Sequence, residues 1–217
     1  PIPPDTLGGT IMSYCGTINF ANGFGPQPTE RILQHISASQ CLGTNCIDSC
    51  INTISLLNLT DTTLSTATLA WHDADGTSWE IGYAAYGTEI NNWQEVSQNN
   101  FIIEGLQSNT YYTFGVRNLC NAGLSPGSIT LSFCTGAEWC DGDVWTDTGG
   151  INGNYMEEQH TVTIIKPTTP GQTVSVTFED FWTQLQDVVY VYDGIGTSAP
   201  LIGSWTGYTA PPGPYVA

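Results

Sequence analysis

Seven cysteines, three histidines and twenty carboxylates are the residues of this 217-residue chain whose types could do chemistry. His35, His72 and His160 stand alone, and no Glu-x-x-His follows any of them, so the ligand helix of a zinc peptidase is not among these residues. Cys41, Cys46 and Cys50 could form a zinc knuckle, but their spacing is not the paired C-x-x-C type and no histidine lies close by. The other reading, disulfides formed in an oxidising compartment, suits seven cysteines without a thiolate-activating context. An odd count leaves one of them without a partner. Serine nucleophile chemistry lacks a Gly-x-Ser-x-Gly elbow. Glu157-Glu158 and Glu179-Asp180 are neighbours in sequence rather than carboxylates facing across a cleft, so glycosidase chemistry has no support. The glycines fall in turns and form no phosphate-cradling fingerprint.

Charge narrows the partners. Twenty acids against three bases give a net charge of −17 and a pI near 4.1. Arg31, Arg117 and Lys166 are the only Lys or Arg side chains, too few to neutralise a nucleic-acid backbone. An anionic membrane surface repels such a chain, and no apolar run approaches the roughly 20 residues of a spanning helix, so no membrane insertion is expected. Hydrophobic residues at 40% can still build a core, which excludes an acidic disordered tail. The balance fits a secreted or cell-surface protein kept soluble in salty water. Residue 1 is Pro with no signal segment after it, and the last residues are a Pro/Gly-rich loop without a closing strand; both ends read as cut.

Three regions must position these groups. In residues 1–43, Pro28–Ala38 carries apolar Ile32, Leu33 and Ile36 at helical spacing, with Pro28 suited to the first turn and Glu30 to the positive end of the dipole. Residues 48–135 read as short strands separated by polar turns: 65–71, 78–83, 100–103, 112–116 and 129–133, a pattern for an antiparallel sandwich. Gly136-Ala137 reads as a linker. Residues 140–217 are again all-β, with strands expected at 161–165, 174–178 and 188–192 and a turn signal at Asp193-Gly194. The fold class is mainly β: two successive antiparallel sandwiches preceded by a short loop and helix.

Each region also resembles a known family. Gly8-Gly9-Thr10-Ile11-Met12-Ser13-Tyr14-Cys15 resembles the Met-turn of metzincin zinc peptidases of the reprolysin-like kind found in secreted bacterial proteins. Phe24-Gly25-Pro26-Gln27-Pro28 and the helix after it look like the one that closes that catalytic domain. The resemblance implies Met12 as the apolar floor under a zinc site built by residues outside this chain, and Tyr14 as a wall of the substrate pocket. The second region resembles a fibronectin type III domain, with Trp71 as its core tryptophan and Tyr112, after Leu106-Gln107-Ser108-Asn109-Thr110-Tyr111, as its corner tyrosine. The third resembles CUB-like modules through Asp147-Thr148-Gly149-Gly150, Val176-Thr177-Phe178-Glu179-Asp180-Phe181, Asp187-Val188-Val189-Tyr190-Val191-Tyr192-Asp193-Gly194 and Leu201-Ile202-Gly203.

These readings carry site expectations. Cys120 and Cys134, each at the end of a strand, are expected to bridge a hairpin, while the pairing of Cys15, Cys41, Cys46 and Cys50 stays open and the partner of Cys140 lies outside the chain. Calcium-binding CUB modules imply Asp187 as a ligand, with Asp147 and Asp180 near it; the alternative is that all three acids cap turns and stay solvated, and Gln184 stands where the family has a Glu. No cofactor is assigned to the chain itself, zinc being implied for the parent protein. The implied function is a non-catalytic segment of a secreted multidomain metalloendopeptidase, its β modules acting as spacers or docking surfaces for extracellular protein or polysaccharide. A non-enzymatic adhesin or surface-fibre protein is the competing class. The third is a carbohydrate-binding module with a platform of Trp79, Tyr86 and Trp93, of which the alternation of strand 78–83 assigns Trp79 to a core face.

Overall fold

A computed structural model describes residues 26–38, 52–119, 127–156, 159–167, 169 and 171–216. The chain divides into two units, residues 1–49 and 50–217. In the first, helix α1 spans Pro26–Ala38. It starts two residues before the expected position, so Glu30 falls past the first turn, and its carboxylate accepts a hydrogen bond from Gln34 Nε2 at 3.5 Å instead. The Met12 and Tyr14 segment and Cys15, Cys41, Cys46 and Cys50 lie outside the described residues.

The second unit is mainly β. Strands β1 (Ile54–Thr62), β2 (Thr66–Asp73) and β5 (Asn100–Glu104) form one antiparallel sheet in the order β1-β2-β5. Strands β3 (Trp79–Ala85), β4 (Gln94–Val96), β6 (Tyr111–Asn118), β7 (Ile129–Cys134) and β8 (Thr161–Thr163) form the other, in the order β4-β3-β6-β7-β8. The first four of these are antiparallel, whereas β8 joins β7 in parallel. Strict alternation places Ala67, Leu69 and Trp71 inward on β2, as the sequence predicts. They meet Ile81, Phe114, Val116 and Phe133 of the facing sheet in one core. Trp71 lies edge-on to Trp79 at 5.7 Å between ring centres and 6.1 Å from Phe114.

Two strands of this sandwich escape a reading by alternation. In β1 the register shifts between Ile54 and Leu56 and again between Leu59 and Asp61, so bulges break its period of two. The three-residue β4 is too short to show a period. Both faces of β6 are covered around residue 115: Phe114 and Val116 point into the core, and Gly115 lies beneath Ile90 and Trp93 of the β3–β4 connection. Gly82 of β3 lies under the same two side chains, and a Cβ there would stand 2.6 Å from the carbonyl oxygen of Asn92. Glycine therefore allows the connection to lie flat against the sheet.

Gly136 and Ala137, read as a linker, are buried instead. The Gly136 amide donates to Thr63 O at 3.0 Å and its carbonyl accepts from the Asn109 amide at 3.0 Å. Past them, β9 (Ser175–Val176) pairs with β12 (Tyr215–Val216), and β10 (Val189–Tyr192) with β11 (Leu201–Trp205), as separate two-stranded antiparallel ribbons. The Asp193-Gly194 bend begins a longer connection that Asp193 closes by donating its amide to Pro200 O at 2.8 Å. Phe178, Trp205 and Tyr215 make a small aromatic cluster, with Trp205 5.0 Å from Tyr215 and its indole lying over Gly203. No helix among the described residues is long and apolar enough to cross a membrane.

Candidate functional site

Of the acids expected to hold calcium, Asp187 and Asp147 act on Tyr155. Its hydroxyl donates to Asp187 Oδ2 at 2.7 Å and accepts the Gln184 amide at 2.8 Å. Desolvation first, and then the hydrogen bond to Asp187, raises the Tyr155 pKa, with the charge of Asp147 adding to it. Asp147 caps its own turn, its Oδ1 accepting the Gly149 amide at 2.8 Å. Asp180 is exposed on a bend. Among the described residues no three His, Cys, Asp or Glu side chains gather where they could hold a metal. A calcium ion asks for six to eight oxygens with several carboxylates among them; of the three acids, the turn-capping alternative describes Asp147.

The three aromatics of the expected sugar platform have different surroundings. Trp79 is 5% exposed, in the core, and its indole N–H donates to Asp73 Oδ2 at 2.9 Å. Trp93 packs over Gly82 and Gly115, with the Arg117 guanidinium 4.0 Å above its ring, and Arg117 Nε in turn donates to Glu80 at 2.9 Å. Tyr86 lies edge-on to Tyr111 at 6.2 Å and donates its hydroxyl to Gln159 Oε1 at 3.1 Å. Of the three, Trp79 is taken by the core, whereas Tyr86 and Trp93 are partly exposed.

Cys134 does not bridge to Cys120. It carries a free thiol and pairs with Tyr111 across the β6–β7 ladder, at the opposite end of β6 from Asn118. Seven residues separate Tyr111 from Asn118, about 24 Å of strand. Cys120 lies outside the described residues, but two residues past Asn118 span at most about 7 Å, which leaves about 17 Å to Cys134, well beyond the roughly 7 Å Cα separation a disulfide tolerates. The antiparallel ladder puts the ends of consecutive strands at opposite edges of the sheet, which "the end of each strand" in sequence conceals. Burial pushes the Cys134 thiol up to about 12, so it is inert, whereas Cys140 is exposed and free.

Two groupings were hidden from sequence spacing. Ser55 Oγ lies 3.0 Å from His72 Nδ1 because β1 and β2 place them side by side. The same hydroxyl also reaches His72 O at 3.3 Å, the pair is exposed, and no acid among the described residues orients the imidazole, so it lacks the third member that activates a serine. Asp73 is the more heavily engaged group. Its carboxylate accepts from Thr53 Oγ1 at 2.7 Å, Trp79 Nε1 at 2.9 Å, Asn118 Nδ2 at 2.6 Å and the amides of Asp75 and Gly76. Desolvation pushes its pKa upward but is outweighed by the hydrogen bonds from Trp79, Thr53, Asp75 and Gly76, which hold the carboxyl well below the usual range. It pins three strands together and has no lone pair to spare for a substrate.

Several large apolar side chains are exposed. Trp182 is 44% exposed and Tyr208 77%, with ring centres 6.0 Å apart. Their loops are joined by Thr183 N–H to Gly207 O at 2.9 Å and Gly207 N–H to Thr183 Oγ1 at 2.8 Å. Leu185, Tyr190 and Leu201 are exposed as well.

The class defined by these features is a mainly β protein with a two-sheet sandwich around one core. No family model and no curated protein matches the chain. Among solved structures, similarity extends to a myokine structure (11% identity, 40% of this chain and 99% of that one, TM-score 0.35). It extends also to the fn3 domain of human collagen alpha-1(XX) chain (18%, 44% and 94%, TM-score 0.36). A redesigned β-sandwich protein is similar too (17%, 39% and 95%, TM-score 0.32).

Proposed function

We propose that this chain is a non-catalytic segment of a secreted, multidomain zinc metalloendopeptidase, in which the β modules space the catalytic domain and dock extracellular protein or polysaccharide. The observation that carries the non-catalytic part is the fate of the polar groups: Asp73, Trp79, Asn118 and Thr53 are consumed in one scaffold network. The peptidase parentage rests on the Gly8–Cys15 resemblance and on a helix after Phe24-Gly25. In the parent, three histidines would hold zinc and a Glu would act as base on its water. None of those groups is supplied by the residues described above.

The test is direct. The purified chain is expected to cleave no protein substrate and to hold no stoichiometric zinc by elemental analysis, and the reading frame of the parent is expected to encode H-E-x-x-H ahead of the Met12 segment. A parent without that motif refutes the peptidase reading. The adhesin reading is favoured by the exposed Trp182, Tyr208 and Leu185, and immobilised matrix proteins or glycans captured by a chain whose parent lacks the zinc motif would establish it.

A further inference from the structure

We infer that residues 137–166 are not the start of a second module but a clasp that completes the first sandwich, covering the open edge of β7 and melting with the core as one unit. The inference rests on geometry within residues 50–217 and stands or falls independently of the peptidase parentage.

Backbone, core and side chains all point the same way. Thr161, Val162 and Thr163 of β8 pair in parallel with Ser132, Phe133 and Cys134, satisfying part of an edge that would otherwise present free N–H and C=O groups. Ile164, only 9% exposed, belongs to the sandwich's own core cluster, and Val162 packs against it. Along the clasp, Tyr111 donates its hydroxyl to Thr146 O at 2.7 Å, Asn109 Nδ2 donates to Val144 O at 3.4 Å, and Tyr86 donates to Gln159. Gln159 Oε1 also accepts from Thr148 at 2.6 Å, and Trp145 Nε1 donates to Thr163 Oγ1 at 3.0 Å, so the segment is braced internally where it crosses the sheet. The ammonium of Lys166 pairs with Asp61 of β1, which ties the end of the clasp to the opposite sheet. Burial and the nearby Cys134 thiol raise the Tyr111 pKa well above the phenol range, keeping it a donor at any physiological pH.

The thiols read the state of the clasp. Cys134 lies fully buried between Tyr111 and Thr163, while Cys140 is exposed on the clasp itself. In the full chain, alkylation followed by peptide mapping is expected to label Cys134 at least about 100-fold more slowly than Cys140 in native buffer. With rising urea, Cys134 is expected to become reactive only along the transition reported by tryptophan fluorescence. Labelling of Cys134 at urea concentrations where the fluorescence is still native would overturn the inference, because the clasp would then open by itself. Ile164→Ala is expected to lower the midpoint of that single transition and to leave it single. Should Ile164→Ala fail to fold, Tyr86→Phe, a milder change, is expected to shift the same midpoint by a smaller amount. A second, separate transition in either variant, with the sandwich midpoint unchanged, would likewise refute it.

Discussion

The hydroxyl of Tyr112 accepts the backbone N–H of Gln107 at 3.0 Å, five residues upstream, closing a tyrosine corner across the connection from β5 to β6. Between them Asn109 takes φ +49°, the left-handed conformation that an Asn tolerates better than most residues. The corner holds the entry to β6 against the sandwich while Tyr112 stacks on Phe133 at 6.1 Å. Tyr112→Phe keeps the ring and removes the acceptor. It is expected to cost about 1 kcal/mol, read as a lower denaturation midpoint at unchanged m-value.

The two core tryptophans differ in what their N–H groups do, although both are buried. Trp79 Nε1 donates to Asp73, whereas Trp71 Nε1 is buried with no partner among the described residues. Replacing each by Phe removes similar volume, but only at position 79 does a partly buried carboxylate lose a donor. Trp79→Phe is therefore expected to destabilise by about 1–2 kcal/mol more than Trp71→Phe, measured by urea denaturation of the two variants. Equal losses would show that the Asp73 bond contributes nothing net.

Acid sensitivity follows from Asp73. Its folded pKa lies below its unfolded value near 3.8, so it stabilises the fold fully above that value. That contribution disappears progressively as pH falls below about 4, when the unfolded chain takes up the proton first. The denaturation midpoint is expected to fall between pH 5 and pH 2 in the native protein and to fall less steeply in Asp73→Asn, which has no proton to gain. Parallel slopes in the two proteins would assign the acid sensitivity elsewhere.

The flat lie of the β3–β4 connection depends on two hydrogen atoms. A methyl at position 82 meets Ile90 Cγ2 at 2.4 Å and the Asn92 carbonyl at 2.6 Å, and the backbone contact has no soft way to yield. Gly82→Ala is expected to destabilise by about 1–3 kcal/mol and to lift Trp93 from its seat. A change in tryptophan emission before global unfolding is the readout. Gly87→Ala, at φ +78° with open space around its Cβ, serves as the comparison: it strains the backbone without touching Trp93.

Legibility in the sequence tracked how local each cause is. Inward alternation on β2 could be read because Ala67, Leu69 and Trp71 repeat every two residues, and the corner could be read because Tyr112 and Gln107 are five residues apart. β1 could not, since its bulges shift the period, and neither could the clasp, whose hydrogen bonds join residues 35 and 73 positions apart. Site expectations suffered for the same reason. Asp147 and Asp187 both act on Tyr155, yet Asp180, close to Asp187 in sequence, does not join them in a metal-binding group among the described residues. Cys120 and Cys134 looked paired only while the direction of the ladder was unknown.

Composition and local pattern by themselves determined an acidic, mainly β chain, because net charge is a sum over the composition and the two-residue period is a property of neighbouring residues. Which groups meet was decided by the tertiary structure alone. Asp73 collects donors from residues as far apart as Thr53 and Asn118, and Ile164 enters a core whose other strands end at Cys134. Such contacts are set by the order in which strands stack into sheets, a choice made by burying the whole apolar surface at once, and no single segment records it.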